Sequence, residues 1–142
     1  MREATRAAIA TAITAAWEGN SMPLIWENQP DPKPSTEAWA RIGVAFGKGF
    51  PAAVGGTYDR LPGILWMQIF MPDKKGTKKA NVAADAFEAA TAKTRLAVTG
   101  TGWTGEIQFD QVAEGPSSSA GMKAEVPQSM CRIGFLVHRF TV

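Results

Sequence analysis

Apolar positions recur along this chain at two spacings, and the spacings divide it into helices and strands. Over residues 2–18, Ile9, Ile13 and Trp17 stand at i, i+4 and i+8, one stripe on a segment otherwise made mostly of alanine and threonine. Gly19 and Asn20 supply a C-terminal stop. A stripe this narrow predicts a helix that lies on something larger. MPLIWEN, residues 22–28, is a short strand candidate, with Pro23 at its start or on a sheet edge because it lacks a backbone donor. QPDPKPST, residues 29–36, holds three alternating prolines and predicts an extended, unpaired connection. In EAWARIGVAF, residues 37–46, the period falls to two: Ala40, Ile42, Val44 and Phe46 share one face, Trp39 and Arg41 the other.

Residues 47–62 hold four glycines and two prolines and predict a long loop or a loose extension of a hairpin. GILWMQIFMP, residues 63–72, is nearly continuous in apolar side chains, which predicts a central strand, ended by Pro72. A second helix follows, with Thr77 as N-cap and Ala80, Ala83, Ala84, Phe87 and Ala90 as its buried stripe. TRLAV (94–98) and WTGEIQFDQV (103–112) read as two strands joined by TGTG. AEGPSSSAGM (113–122) reads as a polar loop, and MCRIGFLVHRFTV (130–142) as a last strand with Ile133, Phe135 and Val137 on one side. Hairpin-like spacing dominates over repeated βαβ units. The expected fold is therefore α+β: a single domain over residues 1–142, a mostly antiparallel mixed sheet with both helices on one face, and long loops.

Composition narrows this picture only a little. A chain of 142 residues with 45% apolar and 20% charged residues builds its own core. A net charge of +2 does not by itself argue for nucleic acid. With one cysteine, Cys131, no internal disulfide is possible. Arg2 and Arg6 before AAIATAITAAW superficially resemble a secretory leader, but Glu3 sits among the arginines and Thr11 and Thr14 interrupt the run. No stretch of about 20 apolar residues predicts a membrane span.

The motifs that could carry chemistry fail on their surroundings. GTGWTG, Gly100 to Gly105, matches the dinucleotide pattern, but that fingerprint needs a helix after it, and the strand-like EIQFDQV follows; a glycine-rich hairpin turn is expected. Cys131 and His138 are seven apart on one predicted strand, so they point to opposite faces. One histidine and one cysteine give zinc almost no nitrogen or sulfur ligands, and the thirteen carboxylates form no calcium-loop pattern. The expectation is a protein that is not an enzyme and takes no cofactor or metal. Most of the aromatics read as core; Trp39, opposite its strand's apolar face, and Trp103, beside a glycine turn, are the candidates for exposed interface aromatics.

The order of these pieces resembles the tail terminator proteins of long-tailed bacteriophages over nearly the whole chain. The alanine-rich first helix, PLIWENQPDPKPSTEAWARIGV, and GILWMQIFMPDKKGTKKANVAADAFEAA are similar to that family's succession of short strand, proline-rich crossover, Trp-containing strand, Gly-led strand and alanine-rich helix. The resemblance implies a structural virion protein: a ring, usually a hexamer, on the head-proximal end of the tail tube. Such a ring stops polymerisation of the tube protein, offers a surface to the head–tail connector and lets phage DNA pass through its lumen. It would be made in the host cytoplasm and finish in the virion. The alternatives are another head–tail joining or tail-completion protein, or a soluble nucleic-acid-binding module using Trp39, Trp103 and the lysines.

Lys74, Lys75, Lys78 and Lys79 gather where the second helix begins, at the end whose dipole disfavours cations. A solvated turn is one reading. The other is that the turn faces an anion, either DNA in the lumen or an acidic patch on a partner. Four lysines in each of six subunits would set twenty-four around one ring.

Overall fold

The computed structural model describes residues 1–20, 22–27, 29, 38–71, 78–115 and 129–141, with backbone alone at 112–115 and 129–130. The elements are α1 (Arg2–Trp17), β1 (Leu24–Trp26), β2 (Trp39–Phe46), β3 (Phe50–Pro51), β4 (Tyr58–Phe70), α2 (Lys78–Thr91), β5 (Arg95–Gly100), β6 (Trp103–Gly115) and β7 (Ser129–Thr141). The fold is α+β. One mixed sheet runs β1-β2-β4-β7-β6-β5, with β3 pairing β4. Only β1 and β2 are parallel among the described strands. A parallel pair needs a crossover rather than a tight hairpin; the stretch expected to provide it, 29–36, lies outside the described residues apart from Gln29.

β4 is central, as its continuous apolar run predicts. It pairs β2 and β3 along one side and β7 along the other. Of the two expectations for 47–62, the extension of the hairpin is the one found: Phe50 pairs Arg60 and Pro51 pairs Asp59, with 52–57 turning between them. Pro62 explains why the sequence hides this. Its carbonyl accepts the Gly47 N–H at 2.8 Å, and its missing donor faces the same side, where β2 has ended and β3 has not begun. The gap in the ladder matches the gap in donors.

Both helices pack on one face of the sheet, over a core that joins Ile9, Ile13 and Trp17 of α1 to Ala80, Ala83, Ala84 and Phe87 of α2 and to the inward side chains of the strands. Each fully buried Ile or Phe is worth about 1.5–3 kcal/mol relative to exposure. On α2 the last fully buried position is Thr91, one residue beyond the predicted Ala90, which is half-buried; Thr91 Oγ1 donates to the Phe87 carbonyl at 2.7 Å and so satisfies its hydroxyl. Thr77, the expected N-cap, lies outside the described residues. The α1 exit is closed by Trp17 Nε1, which donates to the Met22 carbonyl at 2.8 Å. GTGWTG forms a strand–turn–strand: Gly100 pairs Trp103, and Thr101 and Gly102 (φ 74°) make the turn. Residues 113–115, expected in a loop, extend β6 as far as Gly115.

Candidate functional site

Inward side chains of the strands join the core beneath the two helices, while several outward ones stay half exposed. Along β4 the outward set is Tyr58, Arg60, Pro62, Ile64, Trp66, Gln68 and Phe70, and along β7 it is Arg132, Gly134, Leu136, His138 and Phe140, because side chains alternate and Leu65, Met67, Ile133 and Val137 take the buried side. Ile64 is 49% exposed and Phe140 48%, with Phe50 of β3 45% exposed at the same end of the sheet. Leu136 stands between them, half-buried. This uncovered, partly apolar sheet face is the candidate interface.

One end of the face is built on aromatic rings and arginine. Tyr58 stacks on Phe140 with centroids 4.8 Å apart, and lies nearly parallel to the His138 ring as well. Arg60 Nε donates to the Tyr58 oxygen at 3.0 Å, while the Tyr58 hydroxyl is hydrogen-bonded to His138 Nδ1. Burial and the Arg60 guanidinium push the His138 pKa below the ordinary histidine value, Glu106 opposing and Arg95 adding to the shift. At the other end Arg41 lies over Trp39 and Phe70, 5.4 and 5.8 Å from their ring centres.

The two tryptophans expected at the surface are interior. Trp39 is 3% exposed: the outward parity is as read, but its indole stacks on Phe70 at 4.1 Å and joins Ile25 in a small second core under Arg41. Trp103 is 8% exposed because it points inward and covers Gly100, where any Cβ would strike the indole. Cys131 and His138 fall on opposite faces, the cysteine fully buried. Lys78 and Lys79 are the first two residues of α2 and both are exposed; with Asn20, Met22 and Val82 they line a hollow of about 260 Å³. Lys74 and Lys75 lie outside the described residues.

Two features were not read from the sequence. Glu27 clamps α1 to the sheet: its Oε1 accepts from Arg6 at 2.6 Å and from the Val44 N–H at 3.0 Å. The Tyr58–His138 contact joins residues 80 positions apart. The period-two run of Tyr58, Arg60, Ile64 and Trp66 is its trace in the sequence, interrupted by Pro62. No helix among the described residues is long and apolar enough to cross a membrane, and no three or more of their His, Cys, Asp and Glu side chains gather as a metal-holding group.

No protein-family model matches the sequence, and no curated protein matches it significantly. Among solved structures, one similar chain is 14% identical, covers 100% of this chain over 96% of its own length, and superposes with a TM-score of 0.63. At that identity the likeness shows a shared fold alone.

Proposed function

We propose that this protein is a structural ring subunit, a hexamer in its working form, that caps the head-proximal end of a phage tail tube. There it ends tube polymerisation and offers the surface to which the head is joined, with DNA passing through the lumen. The role has no chemical step; it is made of contacts. The observation that carries it is the uncovered sheet face, where Ile64, Phe140 and Phe50 are each about half exposed beside Arg60. Aromatics and arginine with few carboxylates are the composition of interface centres rather than of ordinary surface. The succession of elements described from the sequence adds the likeness to tail terminators.

A nucleic-acid module using Trp39 and Trp103 as stacking platforms is less favoured, since both indoles are spent on the protein's own interior. Another head–tail joining role would differ in subunit number and partner. The test is electron microscopy of negatively stained particles from phage lacking this protein. Overlong tubes without heads are expected; tails of normal length with heads attached would overturn the proposal.

A further inference from the structure

A ring repeats one contact between two unlike surfaces of successive copies, and two such surfaces stand back to back across the central strands. α2 packs on β4, β6 and β7 from the core side. Its solvent side presents Val82, Asp85, Glu88 and Ala89, all exposed. Past Lys79 the helix holds no cation, and neither acid has an ion-pair partner among the described residues. On the opposite surface of β4 and β7 stand Arg60, Ile64, Arg132, Leu136 and Phe140. Arg60 and Arg132 likewise meet no carboxylate among the described residues.

We infer that the acidic side of α2 in one copy docks on the arginine-flanked face of β4 and β7 in the next. Charge and shape both argue for a second copy as the occupant. Acids and a small apolar side chain on a helix complement a sheet face that exposes Ile64 and holds Arg60 and Arg132 without an ion pair among the described residues, against one carboxylate, Asp110, at Gly134, since sheets bury their faces under helices. Lys78 and Lys79 sit at the far end of α2, so its C-terminal half is the part that meets the arginines. The two surfaces point away from each other, so the contact is head-to-tail and stops only when a ring closes. The inference rests on the ring reading above and names the surfaces that build it.

Charge reversal tests it. Asp85→Lys/Glu88→Lys makes both surfaces of a copy positive; Arg60→Glu/Arg132→Glu makes both negative. Each variant alone is expected to associate about tenfold or more weakly than wild type, the order expected for losing several close opposite charges, in sedimentation at fixed low salt. Mixing the two is expected to restore association, because unlike copies then alternate. Thermal melting checks that each is folded, and the milder Asp85→Asn/Glu88→Gln and Arg60→Gln/Arg132→Gln pairs replace any that is not. A wild-type chain that stays monomeric up to about 1 mM, reversals that associate as wild type does, or a mixture that fails to recover would each overturn the inference. Rings that survive the reversals sink this contact alone, whereas normal tails in the deletion phage sink the ring reading.

Discussion

Tyr58 and His138 share a hydrogen bond across β4 and β7, and the Arg60 guanidinium donates to the same phenolic oxygen. Protonating the partly buried imidazole would set a second cation beside Arg60, which agrees with a pKa lowered first by burial and then by Arg60. The unfolded chain takes up its proton near the ordinary histidine value of 6.5, while the folded chain waits for a lower pH. His138 therefore favours folding above that value and loses this contribution as the pH falls toward its folded-state pKa. Urea midpoints of the wild type are expected to drop across that window, and His138→Gln should flatten the drop. An equally steep drop in the variant would remove His138 as its cause.

Gly43 of β2 has no room for a side chain on the outward face. The Trp66 ring from β4 covers it, and an added Cβ would collide with that ring and stand 2.7 Å from Glu27 Oε2. Gly43→Ala is expected to destabilise the fold by about 1–3 kcal/mol through overpacking. Trp66→Leu should relieve most of that penalty in the double variant. Chemical unfolding of the four chains forms a cycle, and purely additive losses would show that the ring and the glycine do not compete for one space.

Much of the fold is legible in local periodicity, and the exceptions share one cause. Ile9, Ile13 and Trp17, or Ile133, Phe135 and Val137, reveal their buried face because the pattern lies within one element. The parity that sets Trp39 on the outward face is also correct. What covers Trp39 is not local: Phe70 arrives by β2–β4 pairing and Ile25 by the parallel β1, and a register between distant strands leaves no mark on either segment alone. Trp103 is hidden by the reverse effect. Gly100 reads as a turn residue, yet its missing side chain is also the space the indole fills. Pro62 conceals the first third of β4 by the same logic, since a proline signals a break whether or not a donor is needed there.

Glu27 continues the work of β1 after that strand has ended. Its backbone N–H reaches the Ile42 carbonyl at 2.9 Å, and its carboxylate takes the next donor, Val44, together with Arg6 of α1. Glu27→Ala would leave Val44 N–H without its acceptor and free α1 from the sheet edge. A loss of about 1–2 kcal/mol is expected, discounted from the buried value because the pair is partly exposed. Arg6→Ala should lose less, since it removes only a long 3.5 Å contact to the Val44 carbonyl and leaves the Val44 N–H its acceptor. Equal losses in urea titrations would mean that the ion pair, rather than the strand cap, carries the contribution.

Exposed and buried apolar side chains on the outward face should separate cleanly in their effects. Ile64→Ser and Phe140→Ser remove side chains that are about half exposed, so fold stability should change by no more than about 1 kcal/mol. Self-association should nonetheless fall sharply. Trp39→Ala should do the opposite first: it empties the stack on Phe70 and is expected to lose about 3–5 kcal/mol of stability. Thermal melting and sedimentation on the same preparations distinguish the two classes. Undiminished association in the Ile64 and Phe140 variants would show that this face is not a contact.

The lysines at the start of α2 offer a case in which stability and function are expected to move in opposite directions. Lys78 and Lys79 occupy the first turn, α2 has no acid there, and the helix dipole opposes both charges. Changing Lys74, Lys75, Lys78 and Lys79 to Glu reverses that interaction. The two substitutions within the helix should raise stability by about 0.3–1 kcal/mol each if nothing else depends on them. If the lysines face DNA in the lumen or an acidic partner, the same variant should lose infectivity or ring formation despite its higher melting temperature, and wild-type binding to a polyanion should weaken steeply with salt. A more stable chain with normal rings and infectivity would mean that the four cations are simply solvated.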